Sequence, residues 1–329
     1  MRAASYDPTV SEVLGRHFGR QILDTLIDPL VGGINAGDAR LLSFFSSMPQ
    51  IAGSIAGRPS MIRALQESAK ARGQNQGSIF RGLEGGLATM ICELRRRLEE
   101  SGATVAFDEE VTGLERRDDG HFLLATPNRT RVTEHVILAV PAFASASIVR
   151  GLSPELAREL GEIPFASVVT VTSSFAEADI GPLPARRLAP LIENEPPPSR
   201  TSGQLLPGAG VLVARESMMM TTAISFTSTK WPRSTREGEV LVRASLGRHG
   251  DERTETLSDS DVLLKVLGEL RAILEISAEP LDVVIKRFPR SFPQYVSGHA
   301  ARVARIAQYA RLAGVVLAGA SYHGIGIPA

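Results

Sequence analysis

The stretch VVLAGASYHGIGIP, residues 315–328, decides the fold expected for this chain of 329 residues. Its apolar start predicts a buried β-strand, and Gly319, Gly324 and Gly326 predict a turn where the backbone approaches another group closely. Pro328 suits the first position of a helix. A strand, a glycine turn and a helix N-terminus together bind anions or cofactors, because free N–H groups and the helix dipole converge there. An ordinary strand and tight turn stays open as the alternative, since the spacing differs from G-x-G-x-x-G.

Composition indicates a folded protein of about two domains. Hydrophobic residues make up 43% and charged residues 22%, which is typical of globular chains. Lys plus Arg equals Asp plus Glu at 36 each, so no nucleic-acid partner is expected. Cys92 is the single cysteine, which excludes an internal disulfide, and its apolar neighbours predict a buried helical position. Without a long apolar run or a signal peptide, we expect a cytoplasmic protein that at most rests on the inner face of a membrane.

The first half of the chain predicts helices followed by an α/β segment. Thr9 and Glu12 form a T-x-x-E capping box before an apolar helical pattern. Residues 67–77 are polar and predict a linker. A following amphipathic helix carries Leu87, Met90, Ile91, Leu94 and Leu98 on one face. A hairpin and the apolar run HVILAVP, residues 135–141, then predict a small antiparallel sheet and a strand buried on both faces.

Residues 146–290 predict a second, α+β domain. Four strand-like stretches are separated by proline-rich loops, and a capped amphipathic helix follows with Val262, Val266, Leu267, Leu270 and Leu274 on one face. Residues 298–312 predict a further helix that leads into the closing strand.

Few residues suggest chemistry on their own. Known catalytic motifs are absent and the six histidines are dispersed, so we assign no catalytic residue and no metal site. His323 lies in the closing glycine loop, where an ordinary loop histidine is the alternative. Asp108, Glu109 and Glu110 indicate a solvated acidic turn. Lys230 and Trp231 could present a cation and a flat ring to a planar carboxylated ligand, although a lone tryptophan is more often a core residue.

Taken in order, however, seven stretches resemble one family, the FAD-dependent porphyrinogen oxidases of haem synthesis within the flavin amine oxidase superfamily. The resemblance covers essentially the whole chain, and the order of its blocks makes it specific. The blocks are DPLVGGINAGDARLLS (28–43), FRGLEGGLATMICEL (80–94), EEVTGLER (109–116), HVILAVPA (135–142), STKWP (228–232), FPRSFPQYVSGH (288–299) and LAGASYHGIGIP (317–328).

The resemblance implies a multidomain fold of mixed α+β and α/β type. A helical domain that covers the substrate is expected at residues 1–76. A discontinuous, Rossmann-like FAD-binding domain is expected at 77–145 and 294–329, and an α+β substrate domain with an antiparallel sheet at 146–293.

Matching motifs carry site residues over from the family. On the cofactor side, Val111 is expected at the adenine end of FAD, and the residues expected near the flavin are Phe288, Ile325, Gly326 and Ile327. Phe288 stands where relatives commonly have tryptophan. On the substrate side, the expected residues are Gly37, which matches a glycine close to the macrocycle, and Val211, Lys230 and Trp231. Arg40, Arg215 and Lys230 are candidate partners of the substrate propionates, with ordinary surface charge as the alternative.

The implied activity is oxidation of a porphyrinogen, coproporphyrinogen III or protoporphyrinogen IX, to the porphyrin, with dioxygen consumed and hydrogen peroxide released. Contact with a membrane, contact with ferrochelatase and a homodimer are implied partners. Relatives begin with a strand and G-x-G-x-x-G and continue beyond GIGIP into a helix. We therefore expect a chain truncated at both ends that binds FAD weakly or not at all. A flavin amine oxidase and a non-catalytic, porphyrin-binding relative remain as alternatives.

Overall fold

The structure is a computed structural model. The residues that it describes are 6–55, 60–73, 82–180, 206, 208–231 and 235–326. The chain divides into two compact units. The first comprises Met1–Met48, Ile163–Val303 and Gly319–Ala329, and the second comprises Pro49–Glu162 and Ala304–Ala318. The four domain ranges carried over from the family stay predictions.

Helices and strands are both distributed along the chain. The helices are α1 (Val10–Ile22), α2 (Asp28–Asn35), α3 (Phe44–Ser47), α4 (Pro49–Ile55), α5 (Met61–Gly73), α6 (Ala88–Glu100), α7 (Ala142–Ile148), α8 (Pro154–Gly161), α9 (Thr227–Lys230), α10 (Arg253–Thr256), α11 (Asp259–Leu274) and α12 (His299–Ala313). The strands are β1 (Gly113–Arg116), β2 (Phe122–Ala125), β3 (Thr130–Thr133), β4 (Ile137–Leu138), β5 (Phe165–Ala176), β6 (Gly210–Leu212), β7 (Thr221–Phe226), β8 (Glu239–Leu246), β9 (Asp282–Pro293) and β10 (Val316–Leu317).

A five-stranded antiparallel sheet forms the core of the first unit. Its strand order is β6-β7-β8-β5-β9, with Val171 opposite Ala244 and Phe175 opposite Val240 in the register of β5 and β8. Burial alternates along β8, because successive side chains of a strand point to opposite faces. The buried face packs with α11, so the predicted antiparallel α+β architecture is confirmed.

Helix α11 follows its sequence pattern closely. Ser258 caps the helix by accepting a hydrogen bond from the backbone N–H of Asp261. The residues at the predicted apolar positions Val262, Val266, Leu270 and Leu274 are buried against the sheet, and Leu267 packs at the edge of the same cluster.

The start of the chain confirms the predicted capping box. The Thr9 hydroxyl accepts from the Glu12 N–H at 3.2 Å, and the Glu12 carboxylate accepts from the Thr9 N–H at 2.8 Å. The predicted helical pattern is interrupted at Gly19, whose φ of 82° is outside the helical region, and it continues through a π-helical turn at Leu23–Ile27 into α2.

The second unit contains the predicted hairpin. Strands β1, β2 and β3 form an antiparallel sheet, and β4 pairs in parallel with β10. The expectation of a strand buried on both faces was wrong, since Leu138 is buried but Ile137 is 67% exposed. The closing strand differs in the same way, because Val315 is buried and Val316 is exposed. An unbroken apolar run shows hydrophobicity but not which face a neighbouring element covers.

Helix α6 forms where predicted, but its apolar face is exposed. Leu87, Ile91, Leu94 and Leu98 are each about half exposed, and Cys92, expected to be buried, is exposed. Periodicity predicts a helix and its apolar stripe, whereas coverage of that stripe depends on other segments. The predicted linker at 67–77 was also wrong in part, because α5 extends to Gly73, and residues 74–77 lie outside the described residues. No helix within the described ranges has the length and apolarity needed to cross a bilayer.

Candidate functional site

A stacked ring pair supports the closing glycine loop of the first unit. The rings of Tyr295 and His299 are 4.0 Å apart with an interplanar angle of 15°. The Tyr295 hydroxyl donates to the carbonyl of Ala320 at 2.5 Å, and Nε2 of His299 lies 3.0 Å from the carbonyl of Tyr322. A carbonyl only accepts, so Nε2 carries the proton. Burial is the main cause that lowers the pKa of His299, so this ring is neutral at pH 7.

The loop is anchored at its base and accessible at its tip. Ser321 and Tyr322 are buried, whereas Ile325 is half-buried and Gly326 is exposed. Ile327, the remaining flavin candidate in this loop, lies outside the described residues. The arrangement leaves backbone and an apolar side chain available to a ligand.

The other two cofactor candidates lie on separate elements. Phe288 is on the edge strand β9, opposite Val168 of β5, and is 44% exposed. Val111 is half-buried in the second unit, directly before β1. An exposed phenylalanine and an accessible glycine loop fit the flat ring of a flavin, which packs on apolar side chains and bonds to backbone groups. FAD contact by these residues stays a prediction.

The neighbouring Tyr295 predicts a loss of stability in alkali. Burial raises the pKa of its phenol to about 12, opposed by a hydrogen bond with the Gly324 backbone. Unfolded tyrosine titrates near 10. The neutral phenol therefore contributes its full stability below about pH 10 and loses it as the pH rises towards about 12, with about 1.4 kcal/mol lost at about pH 11.

Urea unfolding of the wild-type protein and Tyr295→Phe at about pH 8 and about pH 11 measures this effect. The difference in unfolding free energy between the wild type and Tyr295→Phe is expected to change by that amount between the two pH values. The same difference for Tyr309→Phe is the control and is expected to stay constant. An equal advantage over Tyr295→Phe at both pH values would contradict the assignment.

Gly37 is required by packing within the protein. A Cβ atom at this position would lie 2.4 Å from Cδ1 of Leu42 and 3.0 Å from Oε1 of Gln294. Gln294 is fully buried, and its amide nitrogen donates to the carbonyls of Asn35 and Phe292. The absence of a side chain at Gly37 therefore admits these neighbours, and proximity to a macrocycle stays a prediction.

Val211 and Lys230, two further substrate candidates, contact opposite faces of one hairpin, because their partners Ile224 and Ser225 are consecutive residues of β7, and Val211 packs against the cluster that the sheet forms with α11. Val211 of β6 faces Ile224 of β7, and the Lys230 ammonium donates to the hydroxyl of Ser225 at 2.8 Å. Helix α2 packs on this hairpin, where the Cβ position of Gly33 is 2.9 Å from Cδ2 of Leu212. The element that ends just before Gly37 thus lies against the strand that carries Val211. Trp231 follows α9 and is 41% exposed, so the core alternative is wrong.

Arg215 and Arg40, the other cation candidates, are held by carboxylates. Nε of Arg215 donates to Asp28 at 3.0 Å, and its Nη2 donates to the carbonyl of Gly37 at 3.2 Å. Asp28 also accepts from the backbone N–H of Ala39 at 3.0 Å. The guanidinium of Arg40 binds Asp38 with two hydrogen bonds of 2.9 and 2.7 Å.

This charged cluster borders a small cavity. The cavity measures about 100 Å³ and is lined by Arg20, Leu23, Asp24, Asp28, Ala39, Arg40, Arg215 and Glu216. Burial opposes ionisation of Asp38, but hydrogen bonds from Arg40 and the charge of Arg215 leave the pKa of that carboxyl below its usual range. Asp28 and Asp38 were not among the predicted site residues, although both lie in the block 28–43 that carries the resemblance.

The acidic run in the second unit is partly paired. Glu109 binds Arg129 and Arg131, so it is not a purely solvated turn. Glu109 and Arg129 border a cavity of about 320 Å³ that Phe107 and Asn128 also line. Val111 follows this run at the start of the hairpin. Within the described residues no three His, Cys, Asp or Glu side chains are grouped so as to hold a metal ion.

Comparisons with known proteins agree on one family. The family described as flavin containing amine oxidoreductase matches residues 1–328. Coproporphyrinogen III oxidase of Bacillus subtilis (strain 168) is 30% identical over 334 residues, which cover 98% of this chain and 64% of the relative. Protoporphyrinogen oxidase 1 from Arabidopsis thaliana chloroplasts is 25% identical over 318 residues, 89% of this chain and 54% of the relative. The chain thus spans between 54% and 66% of the length of these curated relatives.

Solved structures share the fold. A provisionally named protoporphyrinogen oxidase from Exiguobacterium sp. 255-15 superimposes with a TM-score of 0.78 at 24% identity, covering 100% of this chain and 65% of that one. Reduced UDP-galactopyranose mutase superimposes with a TM-score of 0.63 at 11% identity, covering 96% of this chain and 62% of that one. At these identities the likeness concerns the fold alone, and it supports the predicted mixed α and β architecture.

Proposed function

Because this chain belongs to the flavin-containing amine oxidoreductase family, we propose that it acts in FAD-dependent oxidation of a porphyrinogen to the porphyrin. The observation that supports this most is the match of 98% of the chain to coproporphyrinogen III oxidases. In the overall reaction, one porphyrinogen loses six electrons and six hydrogens, and three molecules of dioxygen become three of hydrogen peroxide. FAD, when bound, accepts the electrons and passes them to dioxygen.

The residues of the chain supply binding and orientation in this proposal. When FAD is bound, Phe288, Ile325 and Gly326 of the first unit would pack along the flavin ring, and Val111 stays the residue predicted for the adenine end. The stacked pair of Tyr295 and His299 holds the glycine loop that carries two of these contacts. A neutral His299 keeps this support free of charge, which suits an apolar surface for an aromatic ring.

Substrate contacts come from the hairpin of β6 and β7 and from the end of α2. Trp231 offers a half-exposed flat ring for the macrocycle, whereas Val211 packs against the core cluster of the sheet and α11 and stays a predicted contact. The Lys230 ammonium donates to the neutral hydroxyl of Ser225, and an ammonium has three donors, which leaves capacity for a carboxylate. Gly37 lies at the end of α2. None of these groups is a strong acid or base, so we assign them to substrate positioning.

Coproporphyrinogen III is the proposed substrate. The relatives of that name reach 30% identity, compared with 25% for the Arabidopsis protoporphyrinogen oxidase. The four carboxylates of coproporphyrinogen need cationic partners, for which Lys230 is a candidate, since Arg40 and Arg215 already bind Asp38 and Asp28. Contact with a membrane, contact with ferrochelatase, a homodimer and a cytoplasmic location remain predictions.

Flavin retention is the first experiment. The purified chain is incubated with FAD and passed through a gel-filtration column, and the absorbance of the retained flavin is recorded. Retained flavin supports an enzymatic role, and porphyrin fluorescence with oxygen uptake then measures the reaction. Flavin lost on the column, together with no porphyrin formation, would overturn catalysis by this chain and favour the non-catalytic alternative.

A pair of variants tests the flavin contact. Phe288→Ala is expected to weaken flavin retention, and Val284→Ala is the matched control because it is similarly exposed on the same strand. Equal retention in both variants would remove Phe288 from the cofactor site.

A further inference from the structure

Arg248 is a buried guanidinium that the described protein leaves without a partner. It follows β8, is 5% exposed, and its Nε atom has no hydrogen-bond partner. Among the residues that the structure describes, no carboxylate forms an ion pair with it. Buried arginines are normally paired, because an isolated buried charge is costly. Arg248 is therefore suited to an anion from outside the described chain.

The nearby acidic side chains are already engaged. Asp28 and Asp251 exert the favourable charge effects on Arg248. Asp28 accepts from Arg215 and from backbone, and Asp251 binds Arg253 through two hydrogen bonds of 2.8 and 2.7 Å. Asp28 and Asp251 thus each form an ion pair with another arginine, and neither neutralises the charge of Arg248.

The electrostatics point in the same direction. Burial is the largest cause that lowers the pKa of Arg248, and the like charges of Arg215 and Arg253 add to it. A ligand carboxylate would compensate for the lost hydration of the Arg248 guanidinium and for its repulsion by Arg215 and Arg253, because arginine binds carboxylates through two parallel hydrogen bonds.

Backbone contacts tie this charge to the end of α2. The N–H of His249, the residue after Arg248, donates to the carbonyl of Ala36 at 2.7 Å, and Arg215 donates to the carbonyl of Gly37. Arg248 is thereby anchored beside a predicted substrate residue. Glu216 also lines the small cavity beside Arg215. Its side chain is exposed, so its charge is largely screened by water.

We propose that Arg248, with Arg215 beside it, binds a carboxylate group of an acidic ligand. This inference rests on the proposed function, in which the carboxylate is a propionate of the tetrapyrrole. It extends the function by naming the residue that distinguishes carboxylated from esterified substrates. Arg215 has two roles, since it lies beside the ligand carboxylate and also donates hydrogen bonds to Asp28 and to the carbonyl of Gly37.

The variant Arg248→Gln tests the proposal, and Arg243→Gln is its matched control. Arg243 lies on β8, the strand that Arg248 follows. It is exposed and donates to the hydroxyl of Thr172, so its replacement removes the same charge outside the site. The melting temperature of each protein is measured in sodium propionate and in sodium chloride at equal ionic strength. Propionate is expected to raise the melting temperature of the wild type and of Arg243→Gln, but not of Arg248→Gln.

A second measurement uses porphyrins, which are stable in air. Coproporphyrin III is expected to bind Arg248→Gln about tenfold more weakly than the wild type, whereas its tetramethyl ester binds both equally. A tenfold change corresponds to the loss of one charge-assisted contact of about 1.4 kcal/mol. Arg248→Lys keeps the charge and is expected to recover part of the affinity, which guards against a variant that merely misfolds.

The outcomes separate this inference from the proposed function. A propionate effect that depends on Arg248, found without any porphyrin binding, would support the carboxylate site and count against the porphyrinogen reaction. Porphyrin binding that Arg248→Gln leaves unchanged would overturn the site and leave the function intact. The site would also be overturned if ligand-free Arg248→Gln melted far below the ligand-free wild type and no anion restored its stability. That result would show that Arg248 stabilises the fold through an ion pair within the protein. Stabilisation by pyrophosphate in place of propionate would assign the site to a phosphate.

Discussion

Gly247→Ala is expected to lower the free energy of unfolding by about 3 to 5 kcal/mol. The φ angle of Gly247 is 89°, a left-handed conformation that side chains rarely adopt. An added Cβ would lie 2.5 Å from the carbonyl oxygen of Ser167 and 3.2 Å from Cα of Val168. Both contacts are with the backbone of β5, an interior strand of the sheet, so relief requires movement of the sheet and not of one side chain.

Gly250→Ala is the matched control. Its φ angle of 78° is equally left-handed, but no atom lies within 4 Å of the added Cβ. Gly250→Ala should lower the free energy of unfolding by about 1 to 2 kcal/mol, which is the cost of placing a side chain in the left-handed conformation. Urea unfolding of both variants gives the difference, which measures the backbone clash. Equal losses would show that the strand accommodates a methyl group at position 247 and would refute the clash.

Phe226→Ala is expected to cost about 3 to 5 kcal/mol of unfolding free energy. Phe226 ends β7 with no exposed surface and belongs to the cluster in which the sheet packs with α11. Its removal leaves a cavity in this buried cluster, next to its register partner Val242 on β8, which the packed sheet cannot close.

Phe288→Ala provides the comparison for this second substitution. Its ring is 44% exposed on β9, so in the flavin-free protein its loss should change stability by less than about 1 kcal/mol. Urea unfolding of the two variants under one set of conditions decides the matter. A loss for Phe288→Ala as large as that for Phe226→Ala would place Phe288 in the core and remove it from the cofactor surface.

The regular elements near the core of the first unit were largely predictable from sequence. The capping box of Thr9 and Glu12, the apolar stripe of α11 and the alternation along β8 are local patterns, and local geometry determines them. The predictions for the second unit were less accurate. Cys92 and Ile137 were expected to be buried and are exposed, because coverage depends on which other segment lies against them.

Sequence also identified the family, because ordered blocks along the whole chain resemble it and the family match extends over residues 1–328. It did not identify the pairing of charges. Arg215 was a candidate ligand for a propionate, yet it binds Asp28, which lies 187 positions away in sequence.

By itself, then, the sequence determined the helices, the strands, the antiparallel sheet and the family, since these follow from local periodicity and from ordered motifs. The tertiary structure alone decided which arginines are satisfied. Asp28, Arg215 and Arg248 are brought together by the packing of α2 against the β6 and β7 hairpin and by the contact of His249 with Ala36. Ion pairing depends on distance and burial in space, and these three positions share no sequence pattern that would indicate either.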